Sequence, residues 1–136
     1  MTIPEELIQA YKSSNYKIID GLLLKIDSDS EVVSKLLHEM GVISATFVTA
    51  YNPFSVKCTY KENESRNTCL RNALDKMGFT YHDSVIFSDD GEWSEDAFLI
   101  CDISDEEANH LLIQYEQNAG MKLTKDGNYL LLRAEL

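Results

Sequence analysis

Apolar residues recur at helical spacing in four stretches of the chain, and each stretch carries end signals. In the first, Ile3, Leu7, Ile8 and Tyr11 share a face behind Thr2 and Glu5, which stand at capping-box spacing. The second sets Val32, Val33, Leu36, Leu37 and Met40 between a start at Ser28 and Glu31 and a stop at Gly41. A third runs over about residues 61–77 and stops at Gly78. The fourth opens on Ser104-Asp105-Glu106-Glu107, carries Ala108, Leu111, Leu112 and Tyr115, and ends at Gln117-Asn118, with Asn118 or Gly120 as its left-handed cap.

Between these stretches the pattern changes to that of strands. Asp-Gly, a dipeptide suited to the positive backbone angles of tight hairpins, occurs at Asp20-Gly21, Asp90-Gly91 and Asp126-Gly127. The segments it joins are 16–19 with 22–26, 85–88 with 97–103 across a longer loop, and 121–123 with 129–133. Residues 42–51 form the longest β-like run, without a close hairpin partner and nearly continuous in apolar character, as in a central strand covered on both faces. The resulting order, α-β-β-α-β-α-β-β-α-β-β, predicts an α+β fold in which about four helices pack on a mostly antiparallel, hairpin-rich sheet. A doubly wound parallel sheet fits less well, because few strands alternate singly with helices. With no repeat, low-complexity tract or linker, residues 1–136 read as a single domain.

Polar residues break the pattern in one place. Leu70, Leu74 and Met77 lie on one stripe of the third helix, and the same stripe traced backwards meets Asn67, Arg66 and Asn63. Either these polar residues lie beyond the sheet edge in water, or they point into a polar cavity at the helix's amino end, where the helix dipole favours an anion. The preceding strand ends in Thr49-Ala50-Tyr51-Asn52-Pro53. Pro53 cannot continue a central ladder, so Thr49 and Asn52 stand at the strand's carboxyl end, a common place for ligand contacts.

Thr49-Ala50-Tyr51-Asn52-Pro53, then Glu62-Asn63 with Arg66-Asn67 and Leu70, then Gly91-Glu92-Trp93-Ser94-Glu95, then Gln117-Asn118-Ala119 resemble the successive signatures of a bacterial family called domain of unknown function 3293. The resemblance reaches in order from the Tyr11 region to the final strand. It departs from the family pattern at Tyr51, where the family has tryptophan, and at Ala97, where it has a small hydroxyl residue. The family implies no established activity. It does imply that the polar set matters, either as a ligand-binding or catalytic cluster or as a buried network in which amides and an Arg tie loops together.

Charge narrows the partners. Twelve basic against 23 acidic residues, a formal net charge of −11, argue against direct nucleic-acid binding. Such acidity serves solubility, or a surface that occupies a basic site on another protein, as a phage or mobile-element inhibitor would. No apolar run is long enough for a membrane span, and the amino terminus lacks a secretory pattern, so the expected location is cytoplasmic. Cys58, Cys69 and Cys101 form no CxxC pair and read as reduced thiols.

Glu62, Glu92 and Glu95 are candidate general bases, but His38, His82 and His110 are dispersed, and no nucleophile, metal or cofactor motif is present. Asp83, Asp89, Asp90 and Glu92 read as a solvated acidic hairpin rather than a cation loop. Trp93 reads as a loop anchor or as a stacking platform. The leading expectation is a small anionic or nucleotide-like ligand lined by Thr49, Asn52, Asn63, Arg66, Asn67, Trp93, Glu95 and Gln117, with Arg66 meeting the anionic group. The alternative is an acidic interaction module whose polar set is structural.

Overall fold

In the computed structural model, described over residues 3–18, 23–25 and 30–134, the chain runs α1 (Glu5–Ser13), β1 (Asn15–Ile18), β2 (Leu23–Leu24), α2 (Ser30–Met40), β3 (Ala45–Val48), α3 (Tyr60–Met77), β4 (Tyr81–Phe87), β5 (Ser94–Cys101), α4 (Asp105–Gln114), β6 (Ala119–Thr124) and β7 (Gly127–Leu132). This is the α+β order that the hydrophobic pattern predicts, with a short 3-10 turn (Pro53–Ser55) added between β3 and α3. The first helix begins at Glu5 behind Pro4, without a side-chain cap, rather than at Thr2, and Ile3 precedes it. The start at Ser28 and the turn at Asp20-Gly21 lie outside the described residues.

Every strand pair among the described residues is antiparallel, in the order β2-β1-β4-β5-β3-β6-β7. The apolar run therefore does supply an inner strand, β3, paired with β5 on one side and β6 on the other. Its alternate residues serve two cores. Ala45 and Phe47 join Val33 and Leu37 of α2 together with Leu99, Met121 and Leu123. Val48 and Ala50 join Leu70 and Leu74 of α3, Leu111 and Leu112 of α4, and Phe98 and Ile100. Both faces of β3 are thus dry, which explains its lack of alternation.

The helix ends follow local chemistry. Thr59 caps α3, its hydroxyl accepting from Glu62 N–H, and Ser104 forms a full capping box with Glu107 on α4. Gly78 ends α3 in the left-handed conformation expected of it.

Several details differ from the pattern. Within the 42–51 run only Ala45–Val48 is strand, and the middle hairpin pairs Tyr81–Phe87 with Ser94–Cys101 rather than 85–88 with 97–103. Met77, the last residue of α3 before Gly78, is 51% exposed rather than continuing the buried stripe of Leu70 and Leu74. The left-handed residue after α4 is Glu116 (φ 57°) rather than Asn118 or Gly120. Gly120 instead lets β6 approach β3, since a Cβ there would lie 2.7 Å from the Phe47 carbonyl oxygen. In the last hairpin the loop is residues 125–126, and the positive angle falls on Gly127, at the first position of β7. No helix among the described residues is long and apolar enough to cross a membrane.

Candidate functional site

The sheet opens where β3 ends. β3 pairs with β5 as far as Val48 and with β6 as far as Phe47, whereas β5 begins at Ser94 and β6 at Ala119. The two flanking strands therefore extend past the point where β3 leaves, and its departing chain lies between them. That chain takes left-handed angles at Asn52 (φ 46°), Phe54 (φ 50°) and Ser55 (φ 65°), each disfavoured by about 1–2 kcal/mol for an L-residue.

Leaving the ladder strips the backbone of its partners, and the polar set from α3 and its neighbours replaces them. Asn67 Oδ1 accepts from Ala50 N at 2.8 Å, and Arg66 Nε donates to Ala50 O at 2.6 Å. Thr49 Oγ1 accepts from Tyr51 N at 3.1 Å, and Gln117 Nε2 donates to Tyr51 O at 2.8 Å. Asn63 Oδ1 accepts from Asn52 N at 2.8 Å, while its Nδ2 donates to Asn52 Oδ1 at 2.9 Å. Every backbone polar group from Ala50 N to Asn52 N thus has a side-chain partner. Asn63 and Asn67 are buried, so of the two arrangements compatible with the helix stripe, the one that leaves them in water is ruled out. The rest of the Arg66 guanidinium turns to the end of α4: Nη2 donates to Tyr115 O at 2.6 Å and Nη1 lies 3.6 Å from Glu116 Oε1.

The eight residues proposed from sequence separate into two groups. Thr49, Asn52, Trp93, Glu95 and Gln117 line a cavity of about 520 Å³, on the sheet face that also carries α2. Asn63, Arg66 and Asn67 do not line it, and Asn67 borders a separate cleft of about 250 Å³ on the α3 side. The cavity is roofed by Leu7, Ala10 and Tyr11 of α1 and floored by Tyr16, Phe47 and Ile86. Helix α1 has no fully buried residue, so its apolar face covers the cavity rather than filling a core.

Glu95 is the chemical centre of this space. It is in phase with Ala97 and Leu99, which belong to the apolar core, and it is only 8% exposed. Asn52 Nδ2 donates to Glu95 Oε2 at 2.8 Å. Burial pushes the carboxyl up from 4.5 to about 7, with the Asn52 hydrogen bond opposing the rise. Asn52 is held by its own Oδ1, which accepts from Cys58 N at 2.9 Å as well as from Asn63. The network on one face thereby positions the donor that touches Glu95 on the other. A carboxyl in this state can hold a cation or take and return a proton near neutral pH.

Trp93 is half-buried, packs against the α2-side core as a loop anchor would, and also lines the cavity. The hydroxyl of Tyr16 donates to Tyr11 O at 3.2 Å and is pushed well up by burial, with Tyr11 and Glu95 adding to the shift. Tyr51 places its hydroxyl 2.7 Å from Glu64 Oε2 and 3.2 Å from Asp96 Oδ2. Of the other candidate bases, Glu62 is exposed in the α3 cap, and Glu92 is exposed in the β4–β5 loop. Among the described residues no group of three or more His, Cys, Asp or Glu is placed to hold a metal ion. Tyr11, Tyr16 and Phe47 had registered in the sequence only as apolar positions, because their meeting at one cavity depends on strand order.

No curated protein and no solved structure matches the chain significantly. One family profile matches residues 48–119, a narrower span than the resemblance read from the residues. It holds all eight proposed residues but leaves out Tyr11, Tyr16 and Leu130 of the cavity. Since the match covers more than half of the chain, from the last residue of β3 to the first of β6, the chain belongs to the family described as Protein of unknown function (DUF3293).

Proposed function

We propose that this chain is a small-molecule-binding domain whose ligand occupies the cavity between α1 and the open end of the sheet. The observation that carries this reading is Glu95, a buried carboxyl that borders a partly open, largely apolar space and receives a hydrogen bond from Asn52. A carboxyl at a core position costs stability unless something else uses it. The cavity's volume of about 520 Å³ lies within the ordinary range of ligand pockets.

The expectation of an anionic ligand rested on Arg66 and on the amino end of α3; the Arg66 guanidinium meets Ala50 O, Tyr115 O and Glu116, and no residue of α3 lines the cavity. No Lys, Arg or His lines the cavity among the described residues, so the proposal drops the anion and keeps the pocket. Reading the chain as an acidic interaction module rests on net charge alone, and the cavity reading stands ahead of it.

The test is an NMR fragment screen of small aromatic compounds. Binders are expected to shift the Trp93 indole resonance and the methyl groups of Leu7, Ile86 and Leu130. The variant Ala119→Leu, which fills the cavity, should abolish those shifts while the protein stays folded. Shifts confined to other surfaces, or unchanged in Ala119→Leu, would reject the cavity as the site.

A further inference from the structure

We propose that the cavity takes an organic cation, an amine carried on a flat apolar or aromatic body, with the Glu95 carboxylate meeting the ammonium group. This rests on the cavity being a ligand site and adds the chemical class of its occupant.

The polar groups of the lining are mostly acceptors. Glu95 receives its one hydrogen bond among the described residues at Oε2, from Asn52, which leaves Oε1 without a protein donor. Gln117 spends its amide hydrogens on Tyr51 O at 2.8 Å and Tyr115 O at 3.0 Å, and its side-chain oxygen accepts from no described residue. The hydroxyls of Ser13 and Ser14 donate to Ala10 O, that of Ser88 to Asp90, and that of Tyr16 to Tyr11 O. Against these stand the Trp93 indole N–H, which has no described acceptor, and the hydroxyls of Tyr11 and Ser55, which share one hydrogen bond at 2.9 Å and so keep one hydrogen free. A ligand that satisfies Glu95 Oε1 and the Gln117 side-chain oxygen must bring hydrogens to them rather than lone pairs.

Charge and shape agree with that chemistry. The charged residues of the lining are Glu95, Asp89 and Asp90, all acidic. Asp89 is held below the usual carboxylate range by Asn15 and Lys25, and Asp90 by Ser88 and the Glu92 amide. Lys25 sits outside the lining, 3.0 Å from Asp89. Tyr11, Tyr16, Phe47 and Trp93 supply ring faces to which an ammonium group is attracted.

The pH dependence follows from the groups around the carboxyl. Glu95 lies near 7 when the cavity is empty, so an ammonium ion that binds it displaces the remaining proton. Amine affinity then rises with pH through neutrality. The titratable neighbours are Tyr11 from α1, Tyr16 from β1, and Asp89 and Asp90 from the β4–β5 loop with Lys25 beside them. Tyr16 is pushed up, and Asp89 and Asp90 are pushed down, so these three keep one charge state over that window.

The probes are 2-phenylethylamine, 2-phenylethanol and 3-phenylpropanoate, measured by calorimetry and Trp93 emission from pH 6 to 8.5. At pH 8 the amine is expected to bind about tenfold or more tighter than the alcohol, the margin of one charge-assisted hydrogen bond. The carboxylate should be weakest. Amine affinity should fall toward pH 6 while the alcohol's stays level, and Glu95→Gln should reduce the amine to the level of the alcohol. Alcohol binding with no preference for the amine overturns the cation assignment and leaves the cavity as a ligand site. A preference that survives in Glu95→Gln overturns it as well. Binding by none of the three overturns both readings, and the wild-type pH profile decides the matter even if the variant fails to fold.

Discussion

Glu95 sits one residue from Asp96 and differs from it completely in environment. Asp96 is exposed on the α3 side of β5, whereas Glu95 occupies the α2 side, in phase with Ala97 and Leu99. Its carboxyl is raised from 4.5 to about 7, so between those values the folded protein binds a proton that the unfolded chain has released. Stability therefore falls as pH rises through this window, by at most about 3 kcal/mol for a shift of this size. Glu95→Gln keeps an oxygen for Asn52 Nδ2 and removes the charge. It is expected to match the wild type in urea unfolding at pH 4 and to exceed it by about 1–3 kcal/mol at pH 8. Equal stability at both pH values would mean that the carboxyl is better solvated than its burial implies. Two features of this residue were readable in the sequence: its place in the Trp93-Ser94-Glu95 signature and its value as a base. Its depth was not, because an acidic residue beside another in an alternating strand does not say which of the two faces inward.

At the scale of elements, α3 and the end of β3 form one unit. The amino half of α3 does not bury apolar surface; it presents Asn63, Arg66 and Asn67 to a stretch of chain that has left the sheet. Removing one such partner leaves a buried backbone group unsatisfied, at a cost of about 1–3 kcal/mol. In Asn67→Ala the amide of Ala50 loses its acceptor, and in Asn63→Ala that of Asn52 does. Hydrogen exchange should accelerate selectively at Ala50 in the first variant and at Asn52 in the second, while Leu99 and Ile100 in β5 stay protected. Uniform acceleration across the sheet would instead identify these residues as part of the global folding core. The stripe's change from Leu to Asn was visible from helical spacing alone. Its meaning was not, since an amide facing a cavity and one facing a bare backbone leave the same mark in the sequence.

For the whole molecule, net charge and sheet order matter most. A formal charge of −11 on a chain of this size works against the compact state through self-repulsion. Surface pairs such as Arg71–Asp83 offset little of it. The melting temperature is thus expected to rise by a few degrees between about 20 and 300 mM sodium chloride, as the screening length shortens. A fall would mean that ion pairs outweigh the general repulsion, and differential scanning calorimetry reads either result.

Helices, hairpins and their order along the chain were set by the sequence on its own. Capping at Ser104, the stop at Gly78 and the apolar spacing of α2 and α4 act over a few residues, so their physics is complete within a short window. The family signature likewise stood in the chain as an ordered set of residues. Only the tertiary structure decided that β3 lies between β5 and β6 and stops short of their ends. That arrangement divides one polar set between two faces, so that Arg66 and its neighbours close the backbone while Glu95, Asn52 and Trp93 border a cavity roofed by a distant helix. The physical reason is that strand order depends on burying two apolar faces at once, a sum over contacts far apart in the chain that no local pattern carries.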